Sequence, residues 1–266
     1  MRFHRAETVR QLPHAGRGFT QGLILDGGTV WESTGLYGRS SLRRYRLGAE
    51  LPDWSAALPG ELFGEGICLV GDVLWQLTWQ ERVALCWQLR GGLGGREARG
   101  ARGASPPQDV PRTLSAARTV PYNREGWGIC NVGRYVVTSD GSSELVLREP
   151  RALRPEGMLR VRCDGLRVDG LNDLEWCAGR VWANVGATGC LVGVDPATGE
   201  VTDLVDARAL AAAQRDRHDP QSVMNGIAAV PGTEEFLVTG KGWRFIHQVR
   251  LVRDRKPRRA DKLLAR

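Results

Sequence analysis

Five short segments of this chain open on a side chain able to donate, accept or carry a proton: Gln21, Glu65, Glu125, Asn172 and Asn225. Apolar hairpins do not ordinarily start on amides and carboxylates. Glu65 carries the clearest chemistry. Its neighbours are Phe63, Gly64 and Gly66, and a carboxyl walled by an aromatic ring and apolar strand ends is raised towards neutral pH. A proton shuttle needs that property. Trp79 directly follows the second segment and Trp127 stands two residues after Glu125, and both supply aromatic walls that exclude water. For Glu125 and Asn225 the residue types suit a structural role equally well, bonding backbone ends and holding neighbouring hairpins in register.

Other chemistries fit less well. The four histidines (His4, His14, His218, His247) stand apart, and the six cysteines contain no C-x-x-C pair and no histidine at zinc-ligand spacing. No metal site is expected, and Cys68, Cys86, Cys130, Cys163, Cys177 and Cys190 read as buried free thiols of a reducing compartment. Ser142 and Ser143 follow Asp140-Gly141 and read as turn residues rather than a nucleophile. The net charge of +7 raises nucleic acid as a partner, but only Lys241, Lys256 and Lys262 are lysines and the arginines are spread along the chain. That is a compositional skew, and no nucleic-acid partner is expected. No run approaches the ~18 apolar residues of a membrane span, so no membrane partner is expected either. Arg2, Arg5, Glu7 and Arg10 are followed by no apolar leader. A cytoplasmic protein is expected from the sequence as it stands, or an exported one if a leader has been removed.

The elements that must position these side chains show as a repeat. In each unit a polar opener starts a short apolar strand, a Gly-containing turn follows, and a second strand ends in Thr or Asn. The pairs run from Gln21 to Thr34, Glu65 to Thr78, Glu125 to Thr138, Asn172 to Asn184 and Asn225 to Thr239. Asp26-Gly27-Gly28, Gly71-Asp72, Gly133, Gly179 and Pro231-Gly232 supply the turns. Openers at 21, 65, 125, 172 and 225 recur at the length of a four-stranded blade. The expected fold is therefore all-β, a five-bladed β-propeller, with residues 1–266 as a single domain. The only helix expected is the Ala-rich segment Asp206–Arg215. The widest interval holds a Gly-, Arg- and Pro-rich segment of about 91–112, read as a flexible surface loop because it lacks the apolar residues to pack and the aromatics of an RNA-binding element. A basic tail occupies about 253–266. In a propeller the first residues of the innermost strands crowd the central channel, so the openers converge.

The motifs also resemble a known family. Phe19-Thr-Gln-Gly-Leu23, Glu32-Ser-Thr-Gly-Leu-Tyr-Gly38 with Ser40-Ser-Leu-Arg43, Phe63-Gly-Glu-Gly66, Leu77-Thr-Trp79, Glu125-Gly-Trp-Gly128, Ser139-Asp-Gly-Ser-Ser143, Leu171-Asn172, Asn225-Gly-Ile-Ala228 and Val238-Thr-Gly-Lys241 with Trp243 are similar to the plant-type glutaminyl-peptide cyclotransferases. The likeness runs in order from about 19 to 249. It implies a five-bladed propeller, with its site at the central channel, that converts the N-terminal glutamine of a peptide or protein to pyroglutamate with release of ammonia. The implied site comprises Glu65 as the catalytic proton shuttle and Phe19, Gln21, Trp79, Trp127, Asn172 and Lys241 around the substrate. The implied protein is a monomer that needs no cofactor, a structural calcium in a loop being compatible with it. One departure stands out: Ala183-Asn184-Val185 is followed by Gly186 where the family pattern has Trp.

Two other readings of the same residues stay open. A propeller altered at Gly186 could serve as a binding module, although Gln21, Glu65, Asn172 and Lys241 are all retained. A calcium-dependent propeller hydrolase of the lactonase type would draw its ligands from Glu65, Glu125, Asn172 and Asn225.

Overall fold

Short runs of alternating apolar residues divided by tight turns fold into antiparallel hairpins. The computed structural model describes residues 1–90, 113–254 and 259–264. Its first sheet runs β2 (Thr20–Asp26), β3 (Thr29–Thr34), β4 (Ser41–Arg46) and β5 (Trp54–Ala57), each paired with the next. This sheet follows β1 (Arg2–Pro13), which lies elsewhere. Gly27 and Gly28 turn β2 into β3 with φ of 55° and 83°, the left-handed pair that a two-residue hairpin requires. The second sheet repeats the order with β6 (Gly64–Val70), β7 (Val73–Thr78), β8 (Val83–Arg90) and β9 (Thr113–Pro121). The third has β10 (Ile129–Asn131), β11 (Val136–Thr138), β12 (Glu144–Arg148) and β13 (Pro155–Arg160). A small hairpin, β14 (Arg162–Cys163) with β15 (Leu166–Arg167), comes next.

The remaining strands form one eight-stranded sheet. Its order is β16 (Leu171–Cys177), β17 (Arg180–Val185), β18 (Cys190–Val194), β19 (Val201–Asp206), β1, β22 (Phe245–Arg253), β21 (Glu235–Gly240) and β20 (Met224–Ala229). The N-terminal strand makes the join. It lies parallel to β19, from Arg2↔Asp203 to Arg5↔Asp206, and antiparallel to β22. The first strands β2, β6, β10, β16 and β20 touch in turn, and β20 meets β2 to close the ring. The fold is all-β and propeller-like. Apolar side chains fill the spaces between neighbouring sheets; Trp31 and Leu42 pack with Ile67, Leu85 and Trp87, for example.

The inner strands meet backbone to backbone. A Cβ at Gly22 would lie 2.6 Å from the Ile67 nitrogen, and one at Gly66 would lie 2.6 Å from the Trp127 oxygen. One at Gly128 would fall 2.0 Å from the Asn172 oxygen. Only glycine fits there. The fourth position carries Asp173 instead, and its buried carboxylate accepts the Ile227 N–H at 2.9 Å and backbone N–H groups of Leu23 and Leu174. That carboxylate spans from its own strand to β20 and β2.

Three sequence expectations need amendment or a boundary. Glu125 does not open the third unit: β10 begins at Ile129, and Trp127 is the residue in line with Gln21 and Glu65. The Glu125-Gly126 pair imitates Glu65-Gly66, but the Gly126 N–H bonds the Thr78 and Trp79 oxygens and pins the segment to the end of β7. The Ala-rich segment forms α1 over Arg208–Gln214, and the basic tail adds α2 (Ala260–Leu264). Ala260 and Leu263 of this helix are buried in the same apolar cluster as Cys190 and Val192. The expected loop at 91–112 lies outside the described residues.

Replacing Gly66 by Ala should cost about 2–3 kcal/mol, since rigid backbone must move to admit the methyl group. Gly60, where a Cβ meets nothing closer than 3.9 Å, should tolerate Ala to within ~0.5 kcal/mol. Urea unfolding of both variants checks this, and equal losses would contradict the close-packed ring.

Candidate active site

The ring and its loops enclose a cavity of about 260 Å³. Phe19, Gln21, Glu65, Trp79, Trp127, Asn172 and Lys241 all line it, together with Leu36, Phe63, Gln221 and Val223. A larger cavity of about 430 Å³ lies among β1, β17, β19, β21 and β22. Its charges are largely matched to one another, Arg2, His4 and Arg180 around Asp203 and Arg250 against Glu235. Size therefore does not mark the candidate site; the convergence of amides, a buried carboxyl and an amine does.

Each polar group is placed by its position in the ring. Gln21, Glu65 and Asn172 precede the close contacts at Gly22, Gly66 and Asp173, which turns their side chains towards the cavity. Gln21 Nε2 donates to Glu65 Oε1 at 2.9 Å, and Gln21 Oε1 accepts from Asn225 Nδ2 at 3.0 Å. Asn225 also donates to the Thr20 oxygen at 3.2 Å. Its role is thus to fix the amide of Gln21, oxygen towards Asn225 and NH2 towards Glu65. Asn172 Oδ1 is buried without a hydrogen-bond partner, while its backbone oxygen accepts from Ser139 Oγ at 2.8 Å.

Glu65 is fully buried, and burial holds its carboxyl well above the ordinary range. Lys241 opposes that shift, while the negative charges of Asp173, Glu81 and Glu125 add to it. Lys241 is lowered by burial in turn, with Glu65 pulling the other way. The pair consists of an acid and a base drawn towards each other in proton affinity, as proton transfer requires. Lys241 Nζ also lies 5.0 Å from the centre of the Phe19 ring, a cation–π contact.

Aromatic rings form the walls. Phe63 meets Phe19, Trp79 and Tyr37 edge to face, with centroids 6.4, 5.5 and 5.3 Å apart. Its place in the wall was readable in Phe63-Gly-Glu-Gly66, whereas Gln221 and Val223 follow α1 in a segment with no motif to mark them. Trp79 and Trp127 donate their indole N–H groups to Glu125 Oε2 at 3.0 and 3.2 Å. Gly186 follows β17 with an ordinary φ, and a Cβ there would meet only the Gly170 oxygen, at 3.4 Å. The position has room for a side chain but does not line the cavity.

Beneath Gln21 lies a buried charge network. Glu32 is fully buried and accepts from His14 Nε2 (2.9 Å), Thr20 Oγ1 (2.7 Å), Tyr45 Oη (3.0 Å) and the Arg43 guanidinium. His14 Nδ1 donates to the Trp243 oxygen at 2.9 Å, so the network ties β2, β3 and β4 to the last turn. Burial alone would raise the Glu32 carboxyl, but the charge and hydrogen bond of His14, with Arg43 and Thr20, hold it at about 2. Among the described residues no three His, Cys, Asp or Glu side chains converge as metal ligands, and no helix is long and apolar enough to cross a membrane.

Comparison with known proteins places the chain in a family. The family model described as glutamine cyclotransferase matches residues 1–91 and 108–251. The glutaminyl-peptide cyclotransferase of Arabidopsis thaliana is 30% identical over 253 residues, 94% of this chain and 72% of the plant protein. The crystal structure of Myxococcus xanthus glutaminyl cyclase superposes with a TM-score of 0.79 at 33% identity, covering 95% of this chain and 99% of the other. The chain belongs to the glutamine cyclotransferase family.

The Glu32 network sets an acid limit on stability. A carboxyl held at about 2 when folded and about 4.3 when unfolded contributes fully above pH ~4.5 and loses its contribution as the pH falls towards 2. The stability advantage of wild type over Glu32→Gln, measured by urea unfolding, should shrink by about 3 kcal/mol across that window. A difference that does not vary with pH would contradict the ion-paired state of Glu32.

Proposed function

We propose that this chain cyclises N-terminal glutamine of peptides and proteins to pyroglutamate with release of ammonia, using Glu65 as the proton shuttle and no metal. The observation that carries the mechanism is a buried carboxyl hydrogen-bonded to Gln21 and facing Lys241 inside an aromatic-walled cavity. The substrate's neutral α-amine attacks its own side-chain carbonyl carbon, forming the N–C bond of a five-membered ring. Glu65 takes the proton that the amine sheds. It returns that proton to the side-chain nitrogen as the C–N bond breaks and ammonia leaves, so the carboxylate is regenerated. Gln21, Asn172 and Lys241 are the donors for the amide and its developing oxyanion. Phe19, Phe63, Trp79 and Trp127 hold the side chain folded for attack and exclude water.

A cavity of about 260 Å³ suits one glutamine residue with the rest of the peptide outside, so the substrate is recognised chiefly by its first residue. We read the architecture as a five-bladed propeller formed by residues 1–266 as one domain. The eight-stranded sheet divides between β19 and β1 into two four-stranded groups, which with the three separate four-stranded sheets gives the count. One chain supplies every group named in the mechanism, so a monomer suffices.

Incubating the protein with a Gln-Xaa peptide should release ammonia and pyroglutamyl peptide in equal amounts, at a rate unaffected by a chelator. The matching Asn-Xaa peptide should be inert, because the same attack would close a strained four-membered ring. Folded protein that releases no ammonia from Gln-Xaa would overturn the assignment, and activity lost to a chelator and restored by zinc would overturn its metal independence.

A further inference from the structure

Glu125 takes no part in the proton transfers above, although its carboxylate reaches the cavity walls. It lies two residues ahead of the ring position held by Trp127, in irregular chain between β9 and β10. That chain is fixed by its backbone. The Gly126 N–H donates to the Thr78 and Trp79 oxygens at 3.0 and 3.1 Å, and a Cβ at Gly126 would fall 2.6 Å from both Leu77 Cβ and the Thr78 oxygen. The backbone from which the Glu125 side chain extends is therefore anchored independently of the indoles.

One oxygen, Oε2, then accepts both indole N–H groups, from Trp79 at 3.0 Å and Trp127 at 3.2 Å. These two indoles belong to different parts of the fold. Trp79 follows β7 and packs against Phe63, with centroids 5.5 Å apart. Trp127 leads into β10, and its ring lies against Gly141, where a Cβ would approach two ring carbons to 2.7 Å. Packing thus restrains one side of each ring, while the edge that carries the nitrogen is held by Glu125. A shared acceptor makes the two orientations depend on each other.

We propose that Glu125 is a positioning residue that sets the relative orientation of Trp79 and Trp127, and hence the width of the slot that grips the glutamine side chain. The slot's occupant rests on the cyclase reading; the coupling of the two indoles does not.

Reach and charge are separable by substitution. Glu125→Gln keeps a carbonyl oxygen at the same reach and removes the charge. Glu125→Asp keeps the charge but is one methylene too short to serve both indoles. Near-UV circular dichroism without substrate reads the indoles, and KM and kcat for a Gln-Xaa peptide read the slot. Glu125→Gln should keep the wild-type indole signal and a KM within about threefold. Glu125→Asp should lose that signal and raise KM about tenfold, the scale of lost hydrogen bonds to a charged acceptor, with kcat changed far less. Glu125→Gln also removes one of the charges that raise Glu65, leaving Asp173 and Glu81 against Lys241, so its pH–rate profile should move to lower pH. An Asp variant with wild-type signal and KM, or a Gln variant that loses them, overturns the proposal. Should the wild type release no ammonia from Gln-Xaa, the cyclase reading fails, and the indole signals of the two variants still decide the coupling.

Discussion

Where the inner strands of the ring meet, their backbones leave no space for a side chain, and much of the molecule follows from that contact. Gly22, Gly66 and Gly128 each press against the backbone of the next unit, and the Gly66 N–H donates to the Trp127 oxygen at 2.8 Å across the boundary between sheets. Because strand side chains alternate, a residue pressed against its neighbour obliges the residue before it to face another way. Gln21, Glu65, Trp127 and Asn172 are those preceding residues, and all four line one cavity. The tightness that closes the ring therefore also builds the site. Asp173 replaces the glycine once, and its carboxylate substitutes bonds to backbone N–H groups for direct contact.

Burying carboxyls is costly, and the protein handles the cost differently at each place. Glu32 is surrounded by His14, Arg43, Thr20 and Tyr45 and stays ionised, with its carboxyl at about 2. Glu175, half-buried and with desolvation outweighing the backbone N–H groups of Ala229 and Trp176, is pushed up to about 7. Glu65 has one amide donor in Gln21 and one nearby cation in Lys241. That is too little to offset burial, and its proton affinity rises. A fully satisfied Glu65 would behave like Glu32 and would be a poor proton carrier. In the proposed mechanism, the incomplete solvation of Glu65 is the property that suits it to carry the proton.

The repeat was legible because three of the ring positions set a polar residue before glycine and an apolar strand (Gln21-Gly22, Glu65-Gly66, Asn225-Gly226), while Asn172-Asp173 keeps the polar residue without the glycine. The pattern misled in the third unit, where Glu125-Gly126 and Trp127-Gly128 both set a residue before glycine; Gly126 packs on Thr78 of the preceding unit, and Gly128 is the one that meets Asn172 of the next. All seven site residues named from the sequence line one cavity, yet their partners were harder to read. Asn225 holds Gln21, and the Glu32 network braces the first sheet. The first joins residues 204 positions apart, which spacing does not encode; the second joins residues 11 to 18 positions apart and depends on which face of the sheet each side chain takes. The partner of β1 was equally hidden, since its parallel pairing with β19 joins residues about two hundred positions apart. Gln221 and Val223 reach the cavity from an irregular segment with no periodic pattern.

The central claim is that a buried, incompletely solvated carboxyl at position 65 carries the proton from the attacking amine to the departing ammonia. Turnover of Glu65→Gln on a Gln-Xaa peptide, measured by ammonia release alongside thermal unfolding, tests it most directly. The substitution keeps the shape and removes the titrating group, so kcat should fall by about two to four orders of magnitude while the protein unfolds cooperatively at or above the wild-type temperature. A folded Glu65→Gln protein with near wild-type kcat would contradict the account.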